Sequence, residues 1–288
     1  MERISAKDTP ATLRELARRA LAEDIGRGDI TSELTVDEGA RALGRFVARE
    51  DLVVSGIEAA RAVFCEADPE LRFAALAGEG ERLSAGSVLA EVEGSARWIL
   101  AAERTALNLL MRLSGVATLT RRYVREIEGT RARITDTRKT APGMRLLEKA
   151  AVRAGGGMNH RAGLDDGILI KDNHLMLTGE VGEAVRLAKD RAPHLLKVEV
   201  EVESLGDLEE ALAAGADAVL LDNMSPEEVR GAVELARRRR PDVIVEVSGG
   251  VDLKTVRAYA EAGPDLISVG ALTHSAPSAD ISLEVEPC

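Results

Sequence analysis

The chain has 288 residues, a formal net charge of −11, 45% hydrophobic residues and 2% aromatics. Such a length suits one large domain or two modest ones, and the apolar share is that of an ordinary globular protein. The acidic balance argues against sequence-independent binding to nucleic acid or anionic membranes, and so few aromatics leave no base-stacking platform and a core built from Ala, Val, Leu and Ile.

In chain order, Ala11–Ala22 is a predicted helix, followed by the turn-rich E-D-I-G-R-G-D-I-T-S from Glu23. Alternating strands are expected at Ala40–Ala48, Leu71–Ala77 and Val88–Val92, then a long helix over Arg97–Leu113. Residues 1–115 therefore read as an α+β domain.

From about residue 131 the pattern changes. Strands are expected at Arg133–Thr137, Gly167–Lys171, Lys197–Val202, Ala218–Asp222, Val243–Val247 and Leu266–Val269. Helices are expected between them at Met144–Ala154, Val181–Arg191, Leu205–Ala214, Pro226–Arg239 and Asp252–Ala262. Gly215 and Gly263 stand where left-handed helix ends belong, and Ser225-Pro226 reads as an N-cap with proline in the first turn. Regular β/α alternation predicts a parallel sheet, so residues 116–275 read as an α/β domain whose six or so units close into a complete or partial (β/α) barrel or form an open doubly wound sheet. Asp280–Val285 alternates like a strand, and the segment 276–288 is expected to return to the first domain.

Asp136, Arg138, Lys139, Lys171, Asp172, Asp222 and Ser248 fall at or just after the C-terminal ends of these strands, the edge that carries ligands in barrels and open sheets alike. Arg138, Lys139, His160, Arg161 and Lys171 gather within thirty-odd residues of an acidic chain, beside glycine-rich turns. That arrangement fits a small, multiply anionic ligand. In K-V-E-V-E-V-E the valines share one face, and Glu199, Glu201 and Glu203 the other. Carboxylates so close need a cation or lysines among them. Cys65 and Cys288 have no motif spacing, which points to a reducing compartment without a structural disulfide. Met1–Ser5 lacks the apolar run of a signal peptide, and no stretch approaches the roughly 20 apolar residues of a membrane span. A cytoplasmic location is expected.

The chain resembles the quinolinate phosphoribosyltransferase family. The resemblance rests on E-D-I-G-R-G-D-I-T-S from Glu23, A-E-R-T-A-L-N from Ala102, T-R-K-T-A-P-G from Thr137, N-H-R from Asn159, K-D-N-H from Lys171, E-V-E-V from Glu199, L-L-D-N-M from Leu220, V-S-G-G from Val247 and V-G-A-L-T-H-S from Val269. It implies an N-terminal α/β sandwich followed by an incomplete (β/α) barrel. It also implies a head-to-tail homodimer with sites shared between one subunit's barrel and the other's N-terminal domain, with assembly into hexamers left open. The implied reaction joins quinolinate to phosphoribosyl pyrophosphate, yielding nicotinate mononucleotide, pyrophosphate and carbon dioxide.

On that reading Arg138, Lys139, His160, Arg161 and Lys171 hold quinolinate, and Arg104 reaches across the dimer. Arginine suits planar carboxylates because its fork donates two parallel hydrogen bonds. Glu201 and Asp222 are expected to meet the ribose and Mg²⁺, through water or directly. For Glu199 and Glu203, salt bridges to Lys139, Lys171 or Lys197 are the competing reading. Ser248, Gly249, Gly250, Gly270, Ala271 and His274 are assigned to the phosphoribosyl pyrophosphate, chiefly its 5′-phosphate. Lys139, Lys171, Glu201 and Asp222 form the catalytic set, with either lysine stabilising the decarboxylation intermediate. His174 either binds substrate or braces its loop. Arg237–Arg240 reads as a solvated helix end, His194 as a loop residue and Glu23–Ser32 as a structural turn. The rivals are a phosphoribosyltransferase with another acceptor, a Schiff-base lyase using Lys139 or Lys171, and a non-catalytic anion binder.

Overall fold

The computed structural model describes residues 10–288, so the Met1–Ser5 stretch lies outside it. In chain order the elements are α1 (Ala11–Ile25), α2 (Ile30–Thr35), β1 (Arg41–Ala48), β2 (Leu52–Val53), α3 (Ile57–Ala67), β3 (Arg72–Ala75), β4 (Arg82–Leu83), β5 (Val88–Ser95), α4 (Ala96–Glu126), β6 (Arg133–Thr135), α5 (Arg145–Ala154) and β7 (Ile168–Ile170). There follow α6 (Asp172–Thr178), α7 (Val181–Arg191), β8 (Val198–Val202), α8 (Leu205–Ala214), β9 (Ala218–Asp222), α9 (Pro226–Arg239), β10 (Ile244–Ser248), α10 (Val256–Glu261), β11 (Leu266–Ser268), α11 (Ala271–His274) and β12 (Ile281–Pro287). The chain divides into two units. One holds the described residues up to Leu119 with Pro142–Gly156 and Ala276–Cys288; the other holds Thr120–Ala141 and Gly157–Ser275.

The first unit contains an antiparallel sheet in the order β12-β1-β5-β3. The returning strand β12 pairs along β1 from Ala42↔Pro287 to Ala48↔Ile281. The protein's three phenylalanines meet here, Phe46 on β1, Phe64 on α3 and Phe73 on β3, with ring centroids 5.9 to 6.3 Å apart. Aromatic scarcity is thus offset by concentration at one point of the sandwich core. The turn after Glu23 holds more than a turn: the Asp29 side chain accepts from the Ser32 N–H and caps α2.

The helix expected over Met144–Ala154 exists as α5, but it belongs to this first unit rather than to the barrel. Its Glu148 is fully buried and accepts from Arg112 Nε and Nη2 at 3.1 and 2.8 Å. A buried carboxylate needs that partner, and Arg112 lies on α4. At Gly115, also on α4, an added Cβ would lie 2.0 Å from the Pro277 carbonyl oxygen. Gly115→Ala is therefore expected to lower stability by about 2–3 kcal/mol, read as a drop in melting temperature, since backbone bounds the gap on the Pro277 side.

The second unit is a parallel six-stranded sheet in the order β6-β11-β10-β9-β8-β7. Its ends, β6 and β7, do not pair with one another, so this is an incomplete barrel. The free edge of β6 is occupied by a loop. Met158 donates to Ile134 O at 2.8 Å and accepts from the Asp136 N–H at 3.2 Å. β6, β7, β8 and β11 are shorter than their sequence runs, β9 matches its run and β10 is shifted by one residue, but the periodicity holds. In β8, Val198, Val200 and Val202 are buried while Glu199 and Glu201 are part-exposed. Ser225 and Glu228 form a reciprocal capping box on α9, and Gly215 and Gly263 have φ of 92° and 93°.

The basic run closing α9 departs from expectation. Arg237 Nη2 contacts Asp265 at 2.6 Å and its Nη1 donates to Val243 O at 2.6 Å, while Arg240 donates to Ala216 O at 3.0 Å. Only Arg238 and Arg239 have mostly exposed side chains. The reason is local: Arg237 satisfies backbone carbonyls of the α9–β10 turn and Arg240 one of the α8–β9 turn. Among the described residues no helix is long and apolar enough to cross a membrane.

Candidate active site

The site is built where parallel strands end. Beyond β6, Asp136 is fully buried and its carboxylate accepts from Asn159 Nδ2 at 2.6 Å and from the His160 N–H at 2.9 Å. Because the 157–160 segment lies along the open edge of β6, N-H-R sits beside T-R-K although some twenty residues separate them. His160 is held at both ring nitrogens. Its Nδ1 accepts from the Arg161 N–H at 2.8 Å, so the ring proton belongs on Nε2, which faces Glu199 at 3.0 Å. The imidazole is thus a neutral, oriented group rather than a cation gripping a carboxylate. The side-chain nitrogen and oxygens of His160, Glu199 and Glu246 lie within 4.8 Å of one another, a spacing a metal would also accept. The Nδ1 contact argues against that use, since Nε2 must lose its proton to become a ligand.

Arg138, Lys139, His160, Arg161, Lys171, Glu201, Asp222 and Ser248 all line one pocket of about 400 Å³, together with Thr137, Asp172, Glu246 and Ser268. Arg138 Nε and Arg161 Nε are buried there without a hydrogen-bond partner. Arg161 donates to Gly167 O at 2.8 Å, and its pKa is lowered by burial and then by the neighbouring Arg138 charge. Two crowded cations with unused donors form a place for a polyanion.

Across the pocket, Lys171 Nζ pairs with Glu201, whose side chain is only 13% exposed. The salt bridge anticipated for Glu199 or Glu203 thus falls on Glu201, while Glu199 takes His160 and Glu203 is exposed. His174 Nδ1 accepts the Lys171 N–H at 2.9 Å, which makes it a brace of the loop. Burial pushes the Asp222 carboxyl upward, against the opposing Lys171 charge. The amide of Asn223 donates to Asp222 at 2.7 Å, and its own φ of 55° is the one left-handed non-glycine conformation among the described residues. Gly249 answers it from the next strand end: a Cβ there would meet Asn223 Oδ1 at 2.3 Å, and φ is 96°.

Gly270 precedes α11 as its N-cap, and a Cβ on it would stand 3.1 Å from His274 Nε2 and 3.2 Å from Lys139 Cδ. Gly270, Lys139 and His274 therefore share one corner of the rim, with Ala271 next in the chain. Gly250, at φ 62°, follows Gly249 on the β10 loop. Arg104 is not part of this pocket. It belongs to the first unit, on α4, with a side chain 61% exposed. Glu246, by contrast, lines the pocket and was not singled out from sequence. The V-E-V-S of β10 carried the same two-residue period as β8, which places Glu246 on the face of Ser248.

The chain matches "Quinolinate phosphoribosyl transferase, N-terminal domain" over residues 29–114 and "Quinolinate phosphoribosyl transferase, C-terminal domain" over residues 116–284. It is 44% identical over 275 residues to the nicotinate-nucleotide pyrophosphorylase [carboxylating] of Mycobacterium leprae, covering 94% of this chain and 96% of that one. It is also 44% identical to a probable enzyme of the same name from Methanothermobacter thermautotrophicus, covering 94% and 98%. The solved nicotinate-nucleotide pyrophosphorylase from Francisella tularensis is 40% identical, with a TM-score of 0.90 over 99% of this chain and 100% of that one. With both domains matched in order, the chain belongs to the quinolinate phosphoribosyl transferase family.

Proposed function

We propose that this chain transfers the phosphoribosyl group of phosphoribosyl pyrophosphate to quinolinate, releasing pyrophosphate and carbon dioxide and forming nicotinate mononucleotide for NAD synthesis. The observation that carries the reading is the pair of buried, unpartnered guanidinium nitrogens of Arg138 and Arg161 in one pocket. A dicarboxylate supplies four acceptor oxygens and two charges, which answers both arginines. A monocarboxylate answers one.

On this reading Arg138, Arg161, Lys139 and Lys171 bind the quinolinate carboxylates, with Arg104 contributed by a second subunit of a homodimer. His160 braces the acceptor pocket as a neutral ring. Ser248, Gly249, Gly250, Gly270, Ala271 and His274 take the phosphoribosyl pyrophosphate. Glu201 and Asp222 come from the adjacent strands β8 and β9 and offer hard oxygen ligands, so the donor set suits Mg²⁺ held by the ribose and pyrophosphate. When bound, that ion neutralises charge on the leaving pyrophosphate. Glu201 and Asp222 orient the ribose, and the positive side chains position the ring nitrogen against the anomeric carbon, where positioning and charge stabilisation do the work. The ion pair with Glu201 engages the Lys171 amine, which disfavours its use as a free Schiff-base nucleophile. The protein is assigned to the cytoplasm.

Incubating the protein with quinolinate, phosphoribosyl pyrophosphate and Mg²⁺, beside a nicotinate control, tests this. Nicotinate mononucleotide with carbon dioxide from quinolinate alone is the expected result. Product from nicotinate without carbon dioxide would transfer the assignment to another acceptor.

A further inference from the structure

Glu246 is the least accommodated group in the pocket. The residue is 1% exposed, and its Oε1 has no hydrogen-bond partner. The ionised form faces Glu199 from β8 and Asp136 from the end of β6; relief comes from His160, with Nε2 3.9 Å from Oε1, and from the Ser268 hydroxyl. Burial first, and then Glu199, raise its pKa to about 8. A carboxyl in that setting is kept as the neutral acid, with an O–H to give. An unsatisfied buried polar atom in a ligand pocket calls for a functional account.

The proposed reaction supplies a task for such an acid. When the 2-carboxylate leaves as carbon dioxide, the C2–carboxyl bond breaks and its electron pair stays on C2, next to the quaternised ring nitrogen. That carbanion either recaptures carbon dioxide or takes a proton. We propose that Glu246 is the acid that protonates C2, an inference that rests on quinolinate being the substrate. The Oε–H bond of Glu246 breaks, its proton joins the C2 pair to form C2–H, and the carboxylate left behind regains a proton from solvent as product departs.

The alternatives in the pocket are poorer acids. His160 is a neutral imidazole whose one ring proton faces Glu199. Arg138 and Arg161 do not release protons in the working range. Lys171 is paired with Glu201, and Lys139 is engaged with a quinolinate carboxylate on the proposed reading.

The test is Glu246→Gln, which keeps shape and neutrality but removes the acidic proton. Wild-type enzyme with quinolinate, phosphoribosyl pyrophosphate and Mg²⁺ is expected to release pyrophosphate and carbon dioxide one for one. In a single turnover of the variant, carbon dioxide and nicotinate mononucleotide are expected to lag pyrophosphate by about 100-fold, the typical worth of a positioned acid, while quinolinate mononucleotide accumulates. The wild-type rate of carbon dioxide release should fall as pH rises through about 8, where Glu246 loses its proton, and the variant should lack that limb. One-for-one release in the variant with the wild-type pH limb intact would overturn the inference. If the variant does not fold, labelled carbon dioxide decides with the wild type alone. Its incorporation into the quinolinate mononucleotide carboxylate should rise above pH 8 as protonation slows, and flat incorporation would overturn the assignment. Absence of any product from quinolinate in the wild type would instead mark failure of the substrate reading itself.

Discussion

Replacing Arg161 with methionine is expected to lower kcat/KM for quinolinate by at least about 100-fold while raising the melting temperature. A charge-assisted hydrogen bond contributes about 1.5–3 kcal/mol, and a guanidinium fork makes two to one carboxylate. The stability change has the opposite sign because the site is strained without its ligand. Burial and Arg138 both lower the Arg161 pKa, so the folded chain disfavours the charged form. Arginine remains charged at every working pH, and the cost is therefore present throughout. Methionine keeps the stem packing and removes the charge. Steady-state kinetics and thermal melts measure the two effects. An unchanged KM for quinolinate would take Arg161 out of the acceptor pocket. A fall in melting temperature would mean that its bond to Gly167 O outweighs the repulsion from Arg138.

The second large effect concerns Arg104, which lies in the first unit and outside the pocket. Arg104→Ala and Lys171→Ala are each expected to leave less than about 1% of activity, because each removes a charged partner of a bound anion. Mixed and co-refolded, the two variants should recover roughly a quarter of wild-type activity. Random pairing makes half the dimers mixed, and each mixed dimer holds one intact site of two. The variant subunit that lacks Arg104 keeps Lys171 and receives Arg104 from its companion. Recovery near zero, with dimers present by sedimentation, would remove Arg104 from a shared site.

Much of the site was legible in the chain because strand ends announce themselves. Polar residues following short β-branched runs placed Arg138, Lys139, Lys171, Asp222 and Ser248, and the structure brings all five to one pocket. The two-residue period of K-V-E-V-E-V-E separated buried valines from part-exposed or exposed carboxylates correctly. The same period in I-V-E-V-S identified the strand, yet a single glutamate among valines draws no attention until its surroundings are known. Partner choice was not legible. Glu199, Glu201 and Glu203 are equivalent by pattern, and only the neighbouring strands and loops decide that the first takes His160, the second Lys171 and the third solvent.

The sequence by itself determined the element types, the parallel character of the second unit, and the residues that meet at its strand ends. These follow from period, capping residues and turn chemistry, all of which are local. Tertiary structure alone decided that α5 packs in the first unit against Arg112, that the 157–160 segment lines the open edge of β6, and that His160 is a neutral brace. It also decided that Glu246 is buried beside two other carboxylates. These outcomes depend on which groups approach across long separations, and on the desolvation that follows, which no local pattern encodes.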